Sequence, residues 1–231
     1  MKIGIIGSGN IGGALTRRLT AAGHDVSVAN ARGPASLSGL VQETGACAAA
    51  IQDVVRDKDV VVIAIPLSKI GTLPPDLFQD APSKLAVVDT SNYYPRQRDG
   101  RIPEIEAGLP ESAWVEQHLG HKVVKAFNTI LAEHLRENKT TGGSAGRVAL
   151  AVAGDDPAAK TLVGQMIETI GFDTVDAGPI SGSWRQQPGS PGYLKDYDAD
   201  GVRRALAVAS CERTPEWTAT ANSPGTYDNP A

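Results

Sequence analysis

The sequence predicts an α/β chain of the doubly wound type: a parallel sheet with helices on both faces, then a smaller C-terminal α/β lobe. Three observations carry this prediction. They are uninterrupted aliphatic runs such as 59–65 (DVVVIAI), amphipathic helical stretches between such runs, and a glycine-rich turn between the first strand and the first helix. A strand with one wet face alternates polar and apolar residues, whereas a parallel strand covered on both faces does not. Strands alternating with helices at this spacing wind right-handedly into one open sheet.

Residues 2–6 (KIGII) form a short β-branched run stopped by glycine, which reads as a buried strand. Over 10–22, Ile11, Leu15 and Leu19 stand four apart, the apolar stripe of a helix that ends at Gly23. Val26 and Val28 mark a second strand that stops near Ala29, and Pro34 opens a helix over 35–44. Residues 59–65 and 85–88 are further buried strands, the latter running into Asp89-Thr90-Ser91-Asn92. A second part begins near His121, where HKVVKAF predicts a strand and 130–137 a short amphipathic helix. The polar, glycine-rich connection 138–146 suggests a boundary between a dinucleotide-binding domain over 1–140 and a smaller domain over 141–231. There, 147–153 predicts a strand, Asp156 caps a helix over 157–170, 173–175 predicts a strand, and 194–210 contains one more helix. The last dozen residues, rich in Thr, Pro, Asn and Gly, read as a loosely held tail.

Composition narrows the functional classes. A 231-residue chain, 41% hydrophobic and 21% charged, can bury one good core or one core plus a small lobe. Its net charge of −4 argues against nucleic acid as a partner, because phosphate neutralisation needs a basic surface. No apolar run approaches the ~20 residues that span a bilayer. The first strand begins at Lys2, which leaves no room for a signal peptide, so a cytoplasmic protein is expected. Cys47 and Cys211 make neither a disulfide framework nor a metal-ligand spacing, and two unpaired thiols are expected.

Gly7-Ser8-Gly9-Asn10-Ile11-Gly12 is a G-x-G-x-x-G between a strand and a helix, the context that a Rossmann-type site requires. Gly7 allows the tight turn, Gly9 lets the backbone approach a pyrophosphate, and Gly12 lets helix and strand pack closely. The free N–H groups and positive end of the following helix then favour the phosphates. The end of the second strand selects the nucleotide. An NAD site places a carboxylate there for the ribose 2′-OH, but the chain reads Ala29-Asn30-Ala31-Arg32-Gly33. Arg32 can pair with a 2′-phosphate that a carboxylate would repel, so NADP(H) is favoured over NAD(H). The alternative is that Arg32 is an ordinary solvated loop residue.

GSGNIGGAL, VANARGP, AIP (64–66), VVKAFNT (123–129), AGDD (153–156) and DAGPIS (176–181) follow the order seen in coenzyme F420-dependent NADP oxidoreductases, which the chain resembles over about 1–182. VVKAFNT and DTSN (89–92) are also similar to the cytosolic domains of six-transmembrane metalloreductases, which use NADPH and flavin. The resemblance implies that Ser8 to Gly12 contact the pyrophosphate and that Asn30, Ala31 and Arg32 meet the 2′-phosphate. It implies that Ile65 and Pro66 lie beside the adenosine ribose and diphosphate. Asn92, Ala126, Phe127 and Asn128 would border the nicotinamide. Two departures stand out: Ala31 replaces a serine common in the 2′-phosphate loop, and GSWRQQPGSPGY after Ser181 is unlike the deazaflavin enzymes.

The second substrate is expected at the carboxyl edge of the sheet, where such folds bind ligands. Asn92-Tyr93-Tyr94-Pro95 and Phe127-Asn128 should gather there, and Trp184, Arg185, Gln186, Gln187 and Tyr193 follow a loop able to fold over it. Aromatic and amide side chains suit a flat, polar-edged ring such as a flavin or coenzyme F420. They would equally anchor a loop or a homodimer contact, and a homodimer is expected. Trp184 and Asn128 are the expected walls of the nicotinamide-proximal pocket. Arg96, Arg98 and Arg101 read as a solvated cluster beside Tyr93 and Tyr94. Lys125 is either a general acid or a strand-end lysine reaching solvent. None of His24, His118, His121 and His134 sits in a dyad, and no metal cluster shows.

The expected activity is therefore hydride transfer between NADP(H) and a small, flat redox acceptor, a reaction that chiefly needs alignment and exclusion of water. The alternatives are reduction of a small carbonyl or imine, with Lys125 or Tyr193 giving the proton, and NADPH sensing without turnover. If Arg32 holds the 2′-phosphate, Arg32→Ala should weaken NADPH binding by roughly 1.5–3 kcal/mol, the worth of a charged hydrogen bond. NADH affinity should hardly change. Fluorescence titration of both cofactors checks this, and equal affinities in the unmutated protein would refute it.

Overall fold

Why the aliphatic runs show no alternation is plain in the computed structural model, which describes residues 1–137, 146–212 and 225–230. Strands β1 (Lys2–Ile6), β2 (Asp25–Ala29), β3 (Cys47–Ala48), β4 (Val60–Ile63), β5 (Ala86–Asp89) and β6 (Val124–Lys125) form one sheet in the order β3-β2-β1-β4-β5-β6. Every pairing in it is parallel. Along β4, Val60 and Val62 enter the core on one face while Val61 and Ile63 enter the core on the other. Burying such a side chain is worth about 1.5–3 kcal/mol, so both faces hold the strand in register.

One face is covered by α1 (Asn10–Ala21), which sends Leu15 and Leu19 into the first core. After it, a short turn over Pro34–Leu37 leads into α2 (Ser38–Thr44). The other face is covered by residues after β5: α3 (Pro103–Glu106) and α4 (Glu111–Leu119), with Trp114, Val115 and Leu119 packed inward. Beyond β6 come α5 (Ala132–Glu137), β7 (Ala149–Val152), α6 (Pro157–Thr169), β8 (Asp173–Asp176) and α7 (Ala199–Ala207). β7 and β8 make a second, two-stranded parallel sheet. α6 begins as expected, with Asp156 accepting from the N–H groups of Ala158 and Ala159. Its Val163, Met166 and Ile167 join the core under α1, so the two sheets share packing. An antiparallel bridge between Lys125 and Ala153, with N–H···O distances of 2.8 and 3.1 Å, ties β6 to the end of β7.

The structure departs from the expectations in several places. The helix expected over 35–44 starts as a tight turn, because Pro34 fixes its first step, and becomes α-helical only at Ser38. HKVVKAF pairs only through Val124 and Lys125, since Phe127 turns the chain with a positive φ of 63°. β3, α3 and α4 are additions to the sequence reading. Cys47 and Cys211 are exposed and free, as expected. Most of the 138–146 connection lies outside the described residues, as do 213–224 and 231 of the C-terminal stretch. Residues 225–230 lie against the body: Arg96 donates to the Gly225 carbonyl and the Arg101 guanidinium sits 4.5 Å from the centre of the Tyr227 ring. No described helix is long and apolar enough to cross a membrane.

The sheet order reverses at β1, where β4 lies on one side and β2 on the other. This switch point opens the crevice used for ligands in such sheets. At the opposite side of the core, Gly4 passes so close to the loop before β4 that an added Cβ would sit 2.1 Å from the Val54 carbonyl oxygen. Gly4→Ala should therefore destabilise the fold by about 1–3 kcal/mol, as overpacking does. For a chain of this size that lowers Tm by roughly 2–4 °C per kcal/mol. An unchanged melting curve would refute the close approach.

Candidate active site

The site starts where β1 runs out. Gly7 turns the chain with a φ of +110°, and its N–H donates to the Ala29 carbonyl at 2.8 Å. A Cβ at Gly7 would lie 2.2 Å from the Ala64 oxygen, and one at Gly12 would lie 1.9 Å from the Gly7 oxygen. Both positions need glycine so that the turn can lie against the end of β4. Gly9 differs: a Cβ there would meet no atom within 4 Å. Its open side faces a cavity of about 470 Å³. The first N–H groups of α1 have no partner inside the helix, and its first turn carries no acidic residue to offset the positive end.

The cavity follows the carboxyl ends of the strands. Gly9, Asn10 and Ile11 line it at one end, then Ala64, Ile65 and Pro66, then Thr90, Ser91 and Asn92. Tyr94, Arg98, Phe127, Asn128, Tyr193 and Leu194 line its far side. Beside the glycine end, Asn30 holds the loop after β2. Its Nδ2 donates to the hydroxyls of Ser8 and Ser36 at 2.9 and 3.0 Å, and its Oδ1 accepts from the Arg32 N–H at 2.9 Å. Ala31 and Arg32 are exposed, so the guanidinium is free to meet an anion.

At the far end Asn128 acts as a bracket. Its Nδ2 donates to Asn92 Oδ1 at 3.1 Å and to the Gln186 carbonyl, while its Oδ1 accepts from Gln186 Nε2. Asn92 returns a bond of 2.9 Å to the Asn128 carbonyl. Ala126 lies fully buried beneath this pair and does not line the cavity.

Two expected residues, Trp184 and Lys125, stand differently from the sequence reading. Trp184 lines a separate cavity of about 450 Å³ with Leu109, Pro110 and Gln187. The reason is the tight helical turn over Ile180–Gln186: with about three residues per turn, it aims Gln186 at Asn128 and Trp184 elsewhere. Lys125 does not reach solvent. It is fully buried, its Nζ donating to the Ser91 carbonyl at 2.9 Å and lying 3.5 Å from Glu111 and 3.6 Å from Asp89. Arg98 and Arg101 are exposed, as a solvated cluster requires, and of the three arginines only Arg98 lines the cavity, paired with Asp99 at 2.9 Å. Tyr193 does line the cavity, and its hydroxyl contacts that of Tyr94. His24 is held by the N-terminus and Thr169, a structural role. Among the described residues no group of three metal-ligating side chains occurs.

Sequence reasoning missed Glu111 and the role of Asp89. Asp89 accepts from the Ser91 N–H at 2.9 Å and from the Ser112 hydroxyl at 2.6 Å, behind the cavity wall. Two buried carboxylates around one ammonium leave an excess negative charge. Burial pushes the Glu111 carboxyl up to about 7, with the Asp89 charge adding to the rise and Lys125 opposing it.

Residues 2–93 match the family described as "NADP oxidoreductase coenzyme F420-dependent". The hypothetical protein SMa0349 of Sinorhizobium meliloti is 32% identical, with 85% of this chain covering 96% of that one at a TM-score of 0.70. The chain belongs to this family. A candidate F420-dependent NADP-reductase from Arthrobacter sp. FB24 shares the fold, with 24% identity, 79% and 87% coverage and a TM-score of 0.64. The Escherichia coli K12 protein YjhV is 44% identical over 80 residues, or 35% of this chain, and that match spans 56% of the relative's length. The glycine turn, β4 and the 89–92 segment all fall within the matched span of the family.

The buried charge cluster makes stability depend on pH. Glu111 has an ordinary value of 4.5 and a folded value of about 7. Between these pH values the folded chain keeps a proton that the unfolded chain has lost, so this group's contribution falls as pH rises. It is full below about 4.5 and lost as pH passes through about 7. Glu111→Gln should remove that component and make the stability slope over this window less negative. Urea unfolding of both proteins across the window checks this, and identical slopes would refute the assignment.

Proposed function

We propose that this chain is an NADP(H)-dependent oxidoreductase that transfers hydride between the nicotinamide and a flat redox acceptor of the flavin or deazaflavin kind. The observation that carries this reading is the single cavity joining the glycine turn to the bracket of Asn92 and Asn128. Its volume of about 470 Å³ lies in the range of small-molecule sites. The residues fit the cofactor. Gly9 leaves open the space a pyrophosphate needs, and the N–H groups that start α1 face it. Arg32 and the loop held by Asn30 suit a 2′-phosphate, and no carboxylate stands beside them to repel it. Ile65 and Pro66 would flank the adenosine ribose and diphosphate, while Asn92, Phe127 and Asn128 would border the nicotinamide.

When bound, the nicotinamide supplies or accepts a hydride at C4. The chain's part is alignment and exclusion of water. Asn128 and Asn92 fix each other and so fix the floor of the pocket. Phe127, Ile130, Leu131 and Tyr193 give an apolar wall for a planar ring. Lys125 is walled off behind Ser91, so a role as the direct proton donor is not favoured. Tyr193 keeps open the second reading, reduction of a small imine or carbonyl, because its hydroxyl stands in the cavity wall.

Absorbance at 340 nm with FMN, coenzyme F420 and the cyclic imine 1-pyrroline tests the activity. Binding of NADPH without oxidation by any acceptor would make the chain a binding protein instead. Gly9→Val should abolish NADPH binding while circular dichroism stays native, because its side chain would fill ligand space and touch nothing else. Normal binding by that variant would place the phosphates elsewhere.

A further inference from the structure

We propose that Tyr94 and Tyr193, a pair of contacting hydroxyls in the cavity wall, form the proton-donating site for the acceptor. This rests on the hydride-transfer reading above. It restricts the acceptor to molecules that take hydride on a carbon, or on N5 of a flavin, and a proton on a nitrogen or oxygen conjugated with that atom.

The pair is assembled from distant parts of the chain. Tyr94 ends the segment after β5, and Tyr193 sits on the loop between β8 and α7. Both line the cavity that holds Asn92 and Asn128, and their hydroxyls contact each other. Tyr93, one residue away, is a useful contrast. It is fully buried, donates to Glu106 at 2.9 Å and accepts from the Ile102 N–H at 2.9 Å, so its hydroxyl is spent on structure. The Tyr94–Tyr193 hydroxyls instead lie at the cavity wall.

The surroundings suit donation. Asn92 Nδ2 lies 3.5 Å from the Tyr193 oxygen, and the Arg98 guanidinium lies 5.2 Å from the centre of the Tyr94 ring. Both would stabilise the phenolate left behind. Burial first, then the charges of Glu111 and Asp99, raise the Tyr94 phenol to about 12, with Arg98 and Asn92 opposing the rise. The Tyr94 phenol therefore holds its proton at neutral pH, ready to reload Tyr193. In the reductive direction, the acceptor atom (carbon, or N5 of a flavin) gains hydride and its electron pair as the nicotinamide is oxidised. The acceptor's π pair moves onto the conjugated heteroatom, which takes the Tyr193 proton. Tyr193 regains a proton from Tyr94, and Tyr94 from water.

The test compares native protein with Tyr94→Phe and Tyr193→Phe, using coenzyme F420, FMN and 1-pyrroline as acceptors. A general acid contributes 10²–10⁴-fold, so Tyr193→Phe should cut kcat by about 100-fold or more, and native turnover should slow in D2O. NADPH affinity should stay within about twofold and Tm should hold. In cofactor-free protein, ultraviolet titration of the phenols should show that removing one hydroxyl shifts the titration of the other. If native turnover is retained in both variants, the inference fails while the functional reading survives. If the native protein oxidises NADPH with none of the three acceptors, the functional reading fails and this inference with it. A rate loss matched by a loss of Tm or NADPH affinity, without a D2O effect, would make the pair a loop clasp and overturn the proposal.

Discussion

Backbone lies against backbone where the β1–α1 turn meets the end of β4, and the rest of the site depends on that approach. Gly7 and Gly12 leave no room for a Cβ there. With the turn seated, α1 starts at the switch point of the sheet with Asn10 and Ile11 on the cavity wall, and its first N–H groups have no partner inside the helix. The same seating places Ala64 and Pro66 on the cavity wall and leaves Gly9 as the open member of the three. Positions 7 and 12 are thus glycine for the chain itself, whereas position 9 stands open to the cavity.

The acceptor end is built by a different kind of force. Amide side chains lock to each other and to backbone, with Asn92, Asn128 and Gln186 exchanging bonds across three segments. Behind them the Lys125, Glu111 and Asp89 cluster is fully buried. Removing charges from water is costly, so the cluster is held by fixed hydrogen bonds to Ser91 and Ser112. A rigid floor under the cavity is the benefit of that arrangement.

Much of the glycine-turn half of the cavity was legible in the sequence because its determinants are local. The glycine spacing, the aliphatic β4 and the missing carboxylate after Ala29 are all read within a few residues. The acceptor half was less legible because its determinants are tertiary. Glu111 and Ser112 are buried at the start of α4, and these polar residues break the apolar stripe that would have marked the helix. Lys125 looked like a strand-end lysine because its carboxylate partners come from β5 and α4. Trp184 and Gln186 are two apart in sequence, yet the tight helical turn sends Gln186 to Asn128 and Trp184 to a separate cavity. The short β3 exists only through its pairing with Ser27 and Val28, which no local propensity announces.

The bridge between Lys125 and Ala153 gives the molecule a division of labour. One residue joins the sheet edge to the second sheet through its backbone, props Ser91 through its side chain and receives Gln186 on its carbonyl. The cofactor end is furnished by the first sheet, while Tyr193 and Leu194 reach the cavity from the segment after β8. Substitutions in that later segment can therefore reshape one side of the cavity without disturbing the glycine turn. A lineage keeping the turn from Gly7 to Gly12 can redraw the opposite wall by rewriting one loop, with Lys125 as the joint between the two.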